Sequence, residues 1–298
     1  MFPVSFEYLK VHSAEEALAA LQQHGGDARV LAGGQSLIPA MRYRLARPAF
    51  LVDIGGIQDM NTLHEQDGHL HFGATLRDAR VEFTPWIAER YSLLADVSRV
   101  VADPIVRHMG TVLGSICHND PSGDWTAAAL ASRALVTVHG AGGAREVGID
   151  DFLIDAFTTS VQDGELAVSM RLPTPDARTQ GSYQKIERKV GDYATCAAAV
   201  QLTLDEHGLI TAAGVAITAA STTAVRVKKA EAMLIGQRPS LHLLHEAAME
   251  ASILSTPVAD ARGSVAYKKD MARVLVLRGL KQSLERLNAG VLELGATA

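Results

Sequence analysis

An α+β protein of three lobes is what this sequence predicts, and three observations carry that reading. Strand and helix patterns alternate over the first 56 residues. A hairpin signal at Asp67-Gly68 then opens a longer stretch of mixed strands and helices. Beyond Pro173-Thr174-Pro175, which breaks the pattern, strand signals joined by short turns give way to helical ones. These breaks divide the chain into 1–56, 57–175 and 176–298.

The elements follow in order. Ser13-Ala14-Glu15-Glu16 is a capping box, with Ser13 as N-cap and Glu16 at N3. The helix it opens buries Ala17, Leu18 and Leu21 and stops at Gly25-Gly26. A strand over 28–31, a short helix over 37–45 and the strand Phe50-Leu51-Val52-Asp53-Ile54 complete an α/β opening. The runs 61–66 and 69–73 form the hairpin, and helical stretches follow at 77–90 and 92–102. A helix over 126–133 and strands at 135–139, 145–149 and 164–172 finish the middle lobe. The last lobe reads as strands 182–189, 194–205 and 209–219, then helices 223–235, 241–254 and 264–289. There is no internal repeat.

Composition narrows the function. Of 298 residues, 48% are hydrophobic and 20% charged, the profile of a soluble globular protein. The net charge of −5 is spread along the chain and leaves no footprint for nucleic acid. No window approaches the run of apolar residues that a transmembrane helix needs. Glu7 and Lys10 sit where a signal peptide would be apolar. Cys117 and Cys196 are the only cysteines, too few for an iron–sulfur cluster, and they point to a reducing cytoplasm.

Two glycine-rich bends are the most informative local features. Ala32-Gly33-Gly34-Gln35-Ser36 follows the strand Arg29-Val30-Leu31 and precedes Leu37. Gly110-Thr111-Val112-Leu113-Gly114-Ser115 lies about eighty residues further on. Glycine lets backbone approach a ligand closely, and consecutive amides aimed at one place suit a phosphate. Two such bends brought together would grip a pyrophosphate from both sides. Neither matches Gly-x-Gly-x-x-Gly or a phosphate loop ending in Gly-Lys-Ser/Thr, so the common nucleotide folds lose ground.

Other candidates have two readings each. Asp124 is a ribose-binding carboxylate or, with Asp120, a turn former capping the next helix. Lys185 shares a strand face with Glu187 and Lys189, and either neutralises phosphate or is a solvated edge residue. Tyr193, after Gly191-Asp192, stacks on a flat ring or merely starts a strand. His242 and His245 lie three apart on a helix with no third ligand, His69 and His71 read as surface, and His118 sits beside Cys117 near the second bend. No nucleophile stands out.

Taken together these residues resemble a known family. The segments 32–37 and 111–115, with Asp124 nine residues on, look like the paired FAD signatures of the medium, flavoprotein subunit of molybdenum hydroxylases of the carbon monoxide dehydrogenase and xanthine dehydrogenase type. The likeness runs along essentially the whole chain: Phe6-Glu7-Tyr8, Asp53-Ile54, Gly164-Glu165-Leu166, and Lys185 to Arg188 ahead of Gly191-Asp192-Tyr193. It implies a two-part FAD-binding domain of the vanillyl alcohol oxidase-like (PCMH) type, followed by a small C-terminal α+β domain with an antiparallel sheet. Carried over, Arg29, Val30, Leu31, Ala32, Gly33, Gly34, Gln35 and Ser36, with Leu37, would wrap the pyrophosphate. Thr111, Gly114 and Ser115, with His118 close by, would close the other side. Val101 and Leu166 would pack near the cofactor, Asp124 would hold ribose hydroxyls, Lys185 would reach a polar group and Tyr193 would lie against the isoalloxazine. Leu113 and Ser115 depart from the family's usual Gly and Asn, which predicts a different or strained backbone at Leu113.

The resemblance also implies a role. In this family substrate is oxidised at a molybdopterin centre in a large subunit, and electrons pass through [2Fe-2S] clusters in a small subunit to noncovalent FAD. The expectation is an electron-transfer subunit of a cytoplasmic dimer of heterotrimers, delivering electrons to an external acceptor. A stand-alone flavin oxidoreductase and a flavin-free assembly subunit are the alternatives.

Overall fold

A computed structural model describes residues 2–287, and the chain falls into two compact units. The first comprises the residues up to 80, 104–119 and 134–173; the second comprises 81–103, 120–133 and the chain from 174 on.

Two sheets and a short ribbon organise the first unit. Strands β1 (Glu7–Lys10), β2 (Ala28–Leu31) and β3 (Phe50–Asp53) form a parallel sheet in the order β1-β3-β2. The helix Ala14–His24 crosses over between β1 and β2. Ser13 Oγ accepts its first-turn amide from Glu16, Gly25 ends it at φ 51°, and it buries Ala17 and Leu21. Glu16 reaches back to the amide of His12 rather than to that of Ser13. The second sheet is antiparallel, β4-β5-β10-β6-β7, built from β4 (Leu63–Gln66), β5 (His69–Gly73), β6 (Leu135–Gly140), β7 (Gly143–Gly148) and β10 (Leu166–Pro173). Asp67 and Gly68 both take positive φ, 49° and 72°, giving the hairpin turn that the dipeptide predicts. The ribbon pairs β8 (Leu153–Asp155) with β9 (Thr158–Thr159).

In the second unit one antiparallel sheet, β11-β12-β13-β14, is covered on both faces: β11 (Thr179–Ile186), β12 (Cys196–Leu204), β13 (Ile210–Thr218) and β14 (Val225–Arg226). Helices Leu241–Leu254 and Val265–Arg286 cover one face, where Ala198, Val200 and Leu202 join Leu275, Val276 and Leu280 in the core. Ser92–Val100 and Asp124–Ala131 pack on the other. Alanine explains how β12 is buried along its length with helices on both sides. Cys196, Ala197, Ala198, Ala199 and Val200 are each fully buried, and small side chains let layers approach. The closest approach is at Gly214, where an added Cβ would sit 1.9 Å from the carbonyl oxygen of Ala131.

Several boundaries differ from the sequence reading, each for a local reason. The stretch 77–90 is two helices, Asp78–Glu82 and Pro85–Arg90, because Pro85 takes the first position of a new helix. The next helix ends at Val100, before Ala102 takes φ 45°. Pro104–Met109 is a helix the pattern does not predict. The second bend is itself a helix start: Thr111 caps Val112–His118. The helix expected over 126–133 begins at Asp124, and that expected over 223–235 is the strand β14 followed by Lys228–Leu234. The last helix reaches Arg286, and the final residues of the expected range, 288–289, lie outside the described residues.

Two outcomes follow. Gly214→Ala should lower stability by roughly 1–3 kcal/mol or more, because the clash is with backbone; chemical denaturation measures it. The second concerns His71, which pairs with His64 across β4–β5, their rings stacked at 5.1 Å, and has Arg171 and His69 as its other neighbours. Burial, then the charges of His64, Arg171 and His69, hold His71 below its ordinary 6.5, against a hydrogen bond to the Gln66 carbonyl. The unfolded chain therefore binds this proton first, and stability is lost as pH falls below 6.5. His71→Leu should shrink the drop in urea midpoint between about pH 7.5 and about pH 5.5.

Candidate cofactor site

The two glycine-rich bends meet inside the first unit. Leaving β2, the chain turns through Gly34, whose φ is 74°, and enters the helix Leu37–Arg42. Gly33 faces the chain leaving the helix Pro104–Met109. An added Cβ there would lie 2.5 Å from the Met109 oxygen and 2.9 Å from the Gly110 Cα. Only glycine permits this approach. Arg77 fixes the second strand of the contact by donating to the Met109 carbonyl, while the Asp78 amide donates to the Gly110 oxygen at 3.1 Å.

This contact has a chemical consequence. Among the described residues nothing accepts the backbone N–H of Gly33, Gly34, Gln35 or Ser36. All four residues line a cavity of about 620 Å³. Also in its lining, Thr111 Oγ1 accepts the Gly114 amide at 3.2 Å, and a Cβ on Gly114 would strike that oxygen at 2.4 Å. Leu113 has no unusual φ; it is helical and 1% exposed, so its replacement of glycine carries no strain.

Most of the residues singled out from the sequence share this cavity. Arg29, Val30, Ala32, Leu37, Thr111, Gly114, Ser115, His118 and Leu166 line it with the four above. Leu31 does not; its Cδ1 packs 3.2 Å from where a Gly34 Cβ would be. Arg29 spends one guanidinium nitrogen on the carbonyls of Gly26 and Ala28. Sequence reasoning missed Cys117, residues 157–159 and residues 161–163 among the lining. Cys117 comes from the helix Val112–His118, and the others come from the β8–β9 ribbon and the chain that follows it, which no motif marks.

Val101, Asp124, Lys185 and Tyr193 belong to the second unit. Asp124 is the first residue of its helix, with Gly123 as N-cap, so it is not the cap itself. Its carboxylate accepts from the Tyr183 hydroxyl at 2.8 Å and from Lys185 Nζ at 2.9 Å. Lys185 also donates to the Val100 carbonyl at 2.9 Å and lies 3.2 Å from Glu187. Its side chain is 4% exposed, which overturns the solvated-edge alternative. Burial pushes the Asp124 carboxyl up, against the pull of Lys185 and Tyr183; burial and Asp124 push the Tyr183 hydroxyl well up. Val101 is buried beyond the helix end, and Tyr193 stands half-exposed beside Gly191, whose φ is 86°. Asp120 is the turn former of the pair, its carboxylate taking the Ser122 amide at 2.8 Å. Among the described residues no group of three or more His, Cys, Asp or Glu is arranged to hold a metal ion.

The first unit's cavity fits a dinucleotide cofactor on three counts. Its volume falls within the roughly 300–1,000 Å³ of cofactor sites. Its glycines leave room that any Cβ would fill, and its unpartnered amides suit anionic oxygens.

Comparison with known proteins agrees. The family model "FAD binding domain in molybdopterin dehydrogenase" matches residues 4–175, and "CO dehydrogenase flavoprotein C-terminal domain" matches residues 181–283. The carbon monoxide dehydrogenase medium chain of Afipia carboxidovorans is 34% identical over 286 residues, covering 96% of this chain and 99% of that one. The 6-hydroxypseudooxynicotine dehydrogenase complex subunit alpha of Paenarthrobacter nicotinovorans is 33% identical, covering 96% and 97%. A solved carbon monoxide dehydrogenase from Hydrogenophaga pseudoflava superposes with a TM-score of 0.93 at 36% identity, covering 96% of this chain and 99% of that one. No helix among the described residues is long and apolar enough to cross a membrane. The architecture is thus the two-part FAD-binding domain followed by a C-terminal domain with an antiparallel sheet. Matched in order by both models and aligned with its relatives over nearly their whole length, the chain belongs to the FAD-binding medium subunits of the molybdenum hydroxylase family, and so to an oxidoreductase.

Proposed function

We propose that this chain carries noncovalent FAD between [2Fe-2S] clusters of a small subunit and an external electron acceptor, with no substrate chemistry of its own. A large molybdopterin subunit would oxidise the substrate, and the complex would be a cytoplasmic dimer of heterotrimers. The observation that carries the reading is the row of unpartnered amides at 33–36, pressed against the second bend in one cavity. FAD, when bound, exchanges electrons singly or in pairs and so joins one-electron clusters to two-electron acceptors.

The chain's own residues would bind and orient. The amides of 33–36 would hold the pyrophosphate, with Thr111, Gly114 and Ser115 across from them and Leu166 along the wall. Asp124 would accept from ribose hydroxyls; each of its oxygens has one protein donor and keeps a lone pair. Lys185 would fix that carboxylate and lend it positive charge, while Val101 and Tyr193 would pack against the flavin. The division at residues 56 and 175 is supported by sheet content, because no sheet crosses it: 1–56 holds the parallel sheet, 57–175 the five-stranded sheet and the β8–β9 ribbon, and 176–298 the four-stranded sheet.

Purification of the full chain tests the proposal. It should be yellow, or turn yellow when FAD is supplied, and should show no hydroxylase activity alone; a colourless chain that cannot be reconstituted argues against it. Gly33→Ala should weaken FAD binding by about tenfold or more, because the two bends must part to admit the methyl group; flavin fluorescence titration reads this out. Asp124→Ala should destabilise the fold near the lower end of about 3–5 kcal/mol, since Lys185 keeps only Glu187 as a buried counter-charge. Adding Lys185→Met should recover part of that loss, which a double-mutant cycle measures.

A further inference from the structure

The β8–β9 ribbon presents an aromatic ring in a way its own folding does not require. Asp155 pairs with Thr158, so the loop between them is Ala156-Phe157. Phe157 takes φ 55°, a conformation that turns normally assign to glycine or asparagine. Burial does not explain the choice, because Phe157 is 59% exposed.

A dedicated clamp imposes the conformation. Asn119, fully buried and itself left-handed at φ 45°, ends the helix Val112–His118. Its side-chain amide donates to the carbonyls of Asp155 at 2.8 Å and Thr158 at 3.0 Å, bracketing the loop. Its own carbonyl accepts the Phe157 amide at 2.9 Å. The ring that results lines the cavity, with the His118 ring 5.2 Å away and tilted by 51°. A strained, solvent-facing aromatic held by a buried polar clamp marks a position kept for a ligand.

We infer that Phe157 stacks against a flat ring of the bound dinucleotide, adenine or isoalloxazine, and that Asn119 is the residue that positions it. The inference rests on the cavity being the FAD site. Aromatic faces attract one another in offset or edge-to-face contact, and a ring already fixed loses little freedom on binding.

The test uses the full chain, freed of flavin, with Phe157→Gly, Phe157→Leu and Phe157→Tyr. FAD, ADP and riboflavin are titrated separately, and melting temperature is recorded for each variant. Phe157→Gly should melt at or above the parent temperature, since glycine accepts positive φ, yet bind FAD about 3- to 10-fold more weakly. Phe157→Leu should lose similar affinity, and Phe157→Tyr should stay within about twofold. A matching loss for ADP alone places the ring on adenine, and for riboflavin alone on isoalloxazine. Parental FAD affinity in the Gly and Leu variants, or equal weakening of ADP and riboflavin, overturns the inference. A parent chain that takes up no FAD overturns the flavoprotein reading itself and is seen before any variant is compared.

Discussion

The contact between Gly33 and the Met109–Gly110 backbone is the constraint from which the candidate site follows. Two bends about eighty residues apart touch main chain to main chain, with no side chain between them. Each bend needs its own scaffold to reach that point. The first hangs from β2 at the edge of the parallel sheet and runs into the helix Leu37–Arg42. The second is caught between Pro104–Met109 and Val112–His118 and tied by Arg77 to the Met109 carbonyl. Because the contact consumes the space a Cβ would need and none of the first bend's amides, those N–H groups stay without a protein acceptor in residues that line the cavity.

The second unit solves a different problem, that of burying charge. Lys185 sits on the edge strand β11 beneath the helix that Asp124 begins, and both are nearly inaccessible to solvent. Such a pair persists only when further hydrogen bonds help offset its desolvation. Tyr183, two residues along the same strand face, donates to one carboxylate oxygen, and the C-terminal end of Ser92–Val100 offers the Val100 carbonyl to the ammonium. Alanine makes the geometry possible. The helix Asp124–Ala131 is buried on every side and can lie close to β13 only because Gly214 has no side chain.

Elements whose signals are local were legible in the sequence. The Ser13 cap, the Asp67-Gly68 hairpin and the meander around Glu206-His207-Gly208 each depend on residues that lie next to one another. What was not legible depends on distant partners. Pro104–Met109 is too short to show periodicity, and Gly110-Thr111 reads as a bend from composition although Thr111 is a helix cap. Lys185 shows the same limit. Alternation placed it on the face of Glu187, and the 3.2 Å between them agrees. Whether that face met solvent or a buried carboxylate depended on a helix sixty residues away. Phe157 carries no motif at all, and its position is set by Asn119 across the ribbon.

The character of the cavity explains why the family signature can drift here without loss of the site. Its basic lining residues are Arg29, engaged with two carbonyls, and His118, while Glu165 is paired with Arg145 at 2.7 Å. An anionic group in this cavity would therefore be held chiefly by backbone amides and by the hydroxyls of Ser36, Thr111 and Ser115. Amides are supplied by every residue except proline, so identity matters only where a side chain would obstruct or where φ must be positive. Gly33 and Gly34 are such positions; 113 is not, since the residue there is helical with an ordinary φ and a buried side chain. Leu113 thus adds a buried side chain behind the cradle, while Ser115 brings a hydroxyl to it where the family usually has asparagine.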